Sequence, residues 1–104
     1  MNARELDVLN ILAGKEEAQT ATDIVEQRKG LTQSTVIAVL RKLLKDNQVE
    51  VVGVAHSGKV LSRTYAITSA GRNAVLEHFL AELESVKNVI TLDDIITAWK
   101  GSKG

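Results

Sequence analysis

Little in this sequence is spaced to make or break bonds. Asp93 and Asp94 are adjacent, so on a helix they diverge and cannot flank one scissile bond. They read instead as first-turn acids of a helix capped by Thr91. Ser57-Gly58 lacks the strand-to-helix setting of a nucleophile elbow. No glycine-rich phosphate loop occurs, because Gly53 falls in a strand and Gly58 in a turn. The two histidines, His56 and His78, are far apart and there is no cysteine, so no structural metal site is expected. Neither catalysis nor a cofactor is expected from these residues.

A different chemistry is spaced well. Thr32, Gln33, Ser34 and Thr35 offer hydroxyls and an amide in one run, followed at helical intervals by Ala38, Arg41, Lys42 and Lys45. Ser34, Ala38, Arg41 and Lys45 centre on one side, flanked by Ile37 and Lys42, while Val36, Val39, Leu40 and Leu43 centre on the other. The groups of the first turn sit where the helix dipole favours phosphate. Gln33 suits bidentate readout of adenine, and Arg41 suits guanine or phosphate. Lys42 and Lys45 suit phosphate, and Ala38 and Ile37 suit thymine methyls. His56, Lys59 and Arg63 form a second group fit for backbone or minor-groove contact. A basic stripe on an isolated helix is usually a solvated face; the charge distribution and the neighbouring elements give this one a context.

The formal net charge is zero, yet the charges are segregated. Residues 1–27 hold two basic and six acidic groups, residues 28–72 eight basic and two acidic, and residues 73–104 three basic and five acidic. A basic block between two acidic ones is the pattern of an electrostatic footprint for phosphates. At 104 residues the chain is one domain's worth. Aromatic residues are only 3%, which argues against a base-stacking surface for single strands. No apolar run approaches the length of a membrane span, and the N-terminal residues do not form a signal-peptide core. Absence of cysteine suits a reducing interior, and a cytoplasmic location is expected.

The elements that must position these groups follow from periodicity and caps. Residues 3–13 read as a helix ending at Gly14. Thr20 and Asp23 have the form of a capping box, opening a second helix from Ala21 to about Lys29, ended by Gly30. Thr32 caps a third helix reaching Asp46, with Leu31 as a hydrophobic staple to Val36 and Asn47 as a left-handed stop. Val49 to His56 and Val60 to Ile67 read as a hairpin across Ser57-Gly58, with Gly53 marking a bulge. A short third strand around Ala18 to Thr20 is expected beside it. Thr68 or Ser69 caps a long helix with a heptad-like seam of Leu76, Phe79, Leu83, Val86 and Ile90, broadened by Leu80 and Val75. A last helix carries Leu92, Ile95, Ile96 and Trp99, and residues 101–104 should fray.

This order predicts a mainly α fold with a small β-hairpin: a winged helix-turn-helix over residues 1–72 and a C-terminal helical dimerisation segment over 73–104. The second helix of such a motif enters the major groove. The apolar surface of the last two helices exceeds what a three-helix core needs, so it is assigned to a homodimer. A twofold dimer spaces two recognition helices about one DNA turn apart and implies a palindromic site. The expected partners are double-stranded DNA and a second copy of the chain, with no membrane and no metal. The alternative is a winged-helix module that docks on another protein without binding DNA, favoured by Ile37 on the outward face and by the zero net charge.

The stretch Gln33-Ser34-Thr35-Val36-Ile37-Ala38-Val39-Leu40-Arg41-Lys42-Leu43 resembles the recognition helix of the penicillinase-repressor (BlaI/MecI-type) family. Tyr65 after the hairpin, and Val75 to Leu80 followed by Leu92 to Ile95, are similar to that family's post-wing aromatic and C-terminal helices. The resemblance implies a repressor that dimerises through its C-terminal part. Ile37 and Ala38 stand where that family has polar residues, implying a different operator. His78-Phe79 stands where its type members carry an Asn-Phe cleavage site. Thr68-Ser69-Ala70-Gly71-Arg72 also resembles the post-wing segment of PadR-type and MarR-type regulators.

Overall fold

The computed structural model of the chain describes residues 1–57, 59–86 and 92–103. Helix α1 (Ala3–Ala13) begins with a reciprocal cap: the Asn2 side chain accepts from the Glu5 N–H, and Glu5 Oε2 accepts from the Asn2 N–H, both at 2.9 Å. Two of the four free N–H groups at the helix start are thereby satisfied. The helix stops at Gly14, whose conformation is right-handed. Helix α2 (Ala21–Gln27) carries the expected capping box, Thr20 Oγ1 accepting from the Asp23 N–H at 3.1 Å and Asp23 Oδ2 from the Thr20 N–H at 3.0 Å. It ends two residues before the expected Lys29, because Arg28 is already extended and Gly30 turns the chain at φ 93°.

Helix α3 (Gln33–Lys45) starts at Thr32, whose Oγ1 accepts from the Thr35 N–H at 3.2 Å. Asn47 follows at φ 59°, the left-handed stop that an Asn tolerates better than most residues. Strands β1 (Val49–Ser57) and β2 (Val60–Ile67) pair antiparallel, and the register slips between Val51 and Gly53, leaving Val52 as the extra residue of a bulge. The expected third strand is reduced to one bridge, Gln19 with Tyr65, closed by two backbone hydrogen bonds of 3.0 and 2.7 Å. Helix α4 (Ser69–Val86) opens where the long helix capped at Thr68 or Ser69 was expected, and it runs through position 72. Helix α5 (Leu92–Lys103) continues through Gly101 to Lys103, where fraying was expected.

The core is one cluster. Val8, Leu9 and Leu12 of α1, Ile24 of α2, Leu31, and Val36, Leu40 and Leu43 of α3 close on Val49 at the start of β1. Full burial of each such side chain contributes about 1.5–3 kcal/mol. Tyr65 and Ile67 of β2 and Val75 of α4 pack on its edge. This is the expected architecture: three helices and a two-stranded hairpin as a winged helix-turn-helix, followed by two further helices. Among the described residues no helix is long and apolar enough to cross a membrane. Gly58 of the turn, Ile90 of the seam and the capping Thr91 lie outside the described residues, as do the side chains of Val86, Leu92 and Ile95.

Candidate nucleic-acid interface

Burial of Val36, Leu40 and Leu43 against α1 and α2 fixes which side of α3 faces outward. Gln33, Ser34, Ala38, Arg41 and Lys45 are exposed, as the helical spacing predicts, and Ile37 is 39% exposed beside them. The first turn is tied together. Thr32 Oγ1 donates to Thr35 Oγ1 at 2.9 Å and lies 3.4 Å from Ser34 Oγ. Gln33 Nε2 reaches Thr22 Oγ1 on α2 at 3.4 Å, which restrains the amide across the helix-turn-helix.

Between α3 and the hairpin lies a groove of about 260 Å³. Thr22, Gln33, Ile37 and Arg41 form one wall, and Arg63 and Tyr65 the other. The Gln19–Tyr65 bridge anchors β2 to the segment before α2, and this holds the second wall in place. Two guanidinium groups thus border a concavity that is polar at its rim and apolar at Ile37 and Tyr65. Such a shape accepts an anion whose backbone is partly apolar.

Lys42 does not join this face. Its Nζ lies 2.5 Å from Glu5 Oε1, on the side of α3 turned to α1. Glu5 is only 3% exposed. The Lys42 ammonium beside it, then the Asn2 N–H, hold its carboxyl below the usual carboxylate range against the opposing effect of burial. The same hydrogen bond and charge raise the Lys42 ammonium. Lys42, expected at a phosphate, makes here an internal pair joining α1 to α3. Arg28 is drawn off in the same way, 3.2 Å from Asp7, which Arg4 also approaches at 3.7 Å. Arg41, Lys45, Lys59 and Arg63 have no ion-pair partner among the described residues. The acids of α1 neutralise cations on the side away from the groove and leave those around it free.

Of the remaining expected residues, His56 and Lys59 are exposed at the far end of the hairpin. Leu76, Phe79 and Leu80 on α4 and Ile96 and Trp99 on α5 are exposed apolar groups, and Leu83 is half-buried. His78 faces Glu82 one turn on, at 3.6 Å. Sequence reasoning missed Glu5. Nothing local to the first helix marks its partner Lys42, 37 residues away. It also missed Gln19, which is buried, donates to the Ile11 carbonyl at 3.1 Å and accepts from Gln27 Nε2. Among the described residues no group of three or more His, Asp or Glu side chains is placed to hold a metal ion.

Solved structures share this arrangement. A PadR family transcription regulator from Clostridium difficile R20291 is similar with a TM-score of 0.64 at 17% identity, over 85% of this chain and 94% of that one. The complex structure of hsRosR-S4 gives 0.71 at 19% identity, over 99% and 87%. Bacillus subtilis PadR in complex with operator DNA gives 0.64 at 13% identity, over 86% and 62%. These likenesses establish a PadR-like winged-helix fold. They match the second of the two sequence resemblances, and the penicillinase-repressor resemblance draws no specific support from them. No protein-family model and no curated protein matches the chain.

Proposed function

We propose that this chain is a DNA-binding transcriptional regulator that acts as a homodimeric repressor on a palindromic operator and catalyses no reaction. The observation that carries the reading is the sorting of its cations. Those facing α1 are neutralised by Asp7 and Glu5, while Arg41, Lys45, Lys59 and Arg63 stand exposed and unpaired on α3 and the hairpin. In this reading α3 lies in the major groove, with Gln33, Ser34 and Ala38 toward base edges, and a backbone phosphate sits in the groove between Arg41 and Arg63. The fold supports it, since a structural neighbour was solved with operator DNA. The exposed Leu76, Phe79 and Leu80 of α4 supply a self-complementary apolar face for the second copy.

Binding to duplex DNA across a salt series tests this. Affinity should fall steeply with salt, and Arg41→Ala and Lys45→Ala should each reduce the slope by about one released counterion. Lys42→Met should leave the slope unchanged. A folded dimer that binds no duplex at low salt would overturn the reading. It would favour a protein-docking module, to which the exposed Ile37 and Ala38 on the outward face of α3 are better suited.

A further inference from the structure

Strand β1 has one side paired and one side open. The sheet has two strands, and the Gln19 segment lies on the far side of β2. Tyr65 exchanges both its backbone bonds with Gln19, its N–H donating at 2.7 Å and its carbonyl accepting at 3.0 Å. Those groups therefore point away from β1. Tyr65 and its β1 partner Val51 form a pair without mutual hydrogen bonds, and the N–H and carbonyl of Val51 face outward. Further along β2, Arg63 sits opposite Val54 and Leu61 opposite His56 in the same setting. The open edge thus presents the backbone of Val51, Val54 and His56. Among the described residues no hydrogen bond reaches it from outside. Val51 and Val54 are 42% and 66% exposed, on the face shared with Tyr65.

An open edge is a template for another strand, and proteins usually blunt it with lysine, proline or short length. β1 has nine residues, no lysine and no proline, and Glu50 is its single acid. It has a bulge instead. Outward groups on a regular strand recur every second residue, about 6.8 Å apart. Here Val52 is extra, so Val51 and Val54 are three residues apart. A regular strand laid along this edge falls out of step at the bulge. A second β1 stays in step, because it carries the same irregularity. With the two antiparallel about a twofold axis at the bulge, Val51 of each copy meets Val54 of the other, and the four valines form one apolar patch. Charge agrees with this direction. The base of the hairpin carries Asp46 and Glu50 and its tip His56 and Lys59, and antiparallel pairing brings each tip to the other copy's base.

We infer that β1 is an interaction edge for the β1 of a second copy, joining two hairpins into one four-stranded sheet. Each Val51–Val54 pair exchanges two backbone hydrogen bonds. The contact goes beyond the DNA-binding reading and does not depend on it. It is small beside the roughly 1,200 Å² of stable interfaces, so it forms at high local concentration and leaves dilute chains apart. It uses no residue of the exposed α4 face, so it joins dimers paired through α4 to one another.

The test uses the full chain, isotope-labelled for NMR, without DNA. On concentration from micromolar to millimolar, the amide signals of Val51, Val54 and His56 should shift and those of the α1 core should not. Val54→Pro removes an N–H that β1 and β2 do not share. Association should weaken about tenfold or more in that variant, with circular dichroism unchanged. Val51→Lys/Val54→Lys changes only exposed positions and sets like charges opposite each other, which should abolish the shifts. Adding the unlabelled Val51→Glu/Val54→Glu chain should restore them, since the opposed charges then attract. Shifts absent from the wild type at millimolar concentration, association undiminished in Val54→Pro, or no restoration in the mixture overturns the inference. Duplex binding across the salt series is read separately, so either reading can fail alone.

Discussion

Glu5 and Lys42 show how a single pair sorts a helix into an inside and an outside. Glu5 is almost wholly buried and accepts hydrogen bonds from both Lys42 Nζ and the Asn2 N–H, whereas Lys42 is mostly in water. Removing the two partners is therefore unequal. Lys42→Met strands a buried carboxylate, while Glu5→Gln leaves a solvated ammonium. The melting temperature should drop further in Lys42→Met than in Glu5→Gln, as thermal unfolding followed by circular dichroism will show. The pH dependence follows from the shifts. The lowered Glu5 group stabilises above its unfolded value and loses that contribution as pH falls through its folded one. The raised Lys42 group stabilises below its unfolded value and loses it as pH rises through its folded one. The pair holds throughout the neutral range. The deficit of Lys42→Met should narrow in acid, where Glu5 protonates in any case. The outward stripe of Ser34, Ala38, Arg41 and Lys45 was legible from helical spacing because burial of the opposite side fixes it. Lys42 was not, because a flanking residue can turn either way, and the acid that captures it depends on how α1 crosses α3.

Among the elements, the junction between the hairpin and α4 is the most tightly built. Thr68 Oγ1 donates to the Asn47 carbonyl at 2.7 Å and accepts from the Gly71 N–H at 3.0 Å, and the Thr68 N–H bonds the Gln48 carbonyl at 3.1 Å. A Cβ on Gly71 would lie 2.1 Å from the Gln48 oxygen and 2.7 Å from Ile67 Cγ1. The first of these is backbone and cannot swing aside. Gly71→Ala should therefore cost at least about 2 kcal/mol, read from chemical denaturation, although alanine is the better helix former. Caps and periodicity made most elements legible: Thr20 with Asp23, Thr32, Asn47 and the bulge near Gly53 all signal locally. The end of α2 was misjudged because Arg28 and Lys29 have ordinary helix propensities, and the turn at Gly30 draws the chain out before them. The need for glycine at position 71 was not legible, because the atoms that require its size come from Gln48 and Ile67, one of them 23 positions away.

At the scale of the molecule, the radius of gyration is 16.0 Å, against about 13 Å for a compact chain of 100 residues. The long axis reaches 52 Å. Exposure of Leu76, Phe79 and Leu80 shows α4 leaving the core with its apolar side uncovered. Leu76→Glu/Phe79→Glu should yield a folded monomer by sedimentation equilibrium and weaken operator binding by roughly two orders of magnitude, as the second half-site ceases to be held at high effective concentration. The apolar side of α4 was legible as an excess of apolar residues, and its continuity with the domain before it was legible in the long helix opening at Thr68 or Ser69, which runs through position 72. That continuity has a mechanical consequence. The 18 residues of α4 make a rod of about 27 Å. Its base is fastened at Thr68 and Gly71 to the turn that ends α3, which ties the direction of α4 to that of α3. A tilt of about 10° at the clamp displaces the far end of such a rod by about 5 Å. In the proposed dimer, a shift of that size where two copies meet would change the angle at which each α3 is presented, so the spacing of the two α3 helices would be set from the opposite end of the molecule.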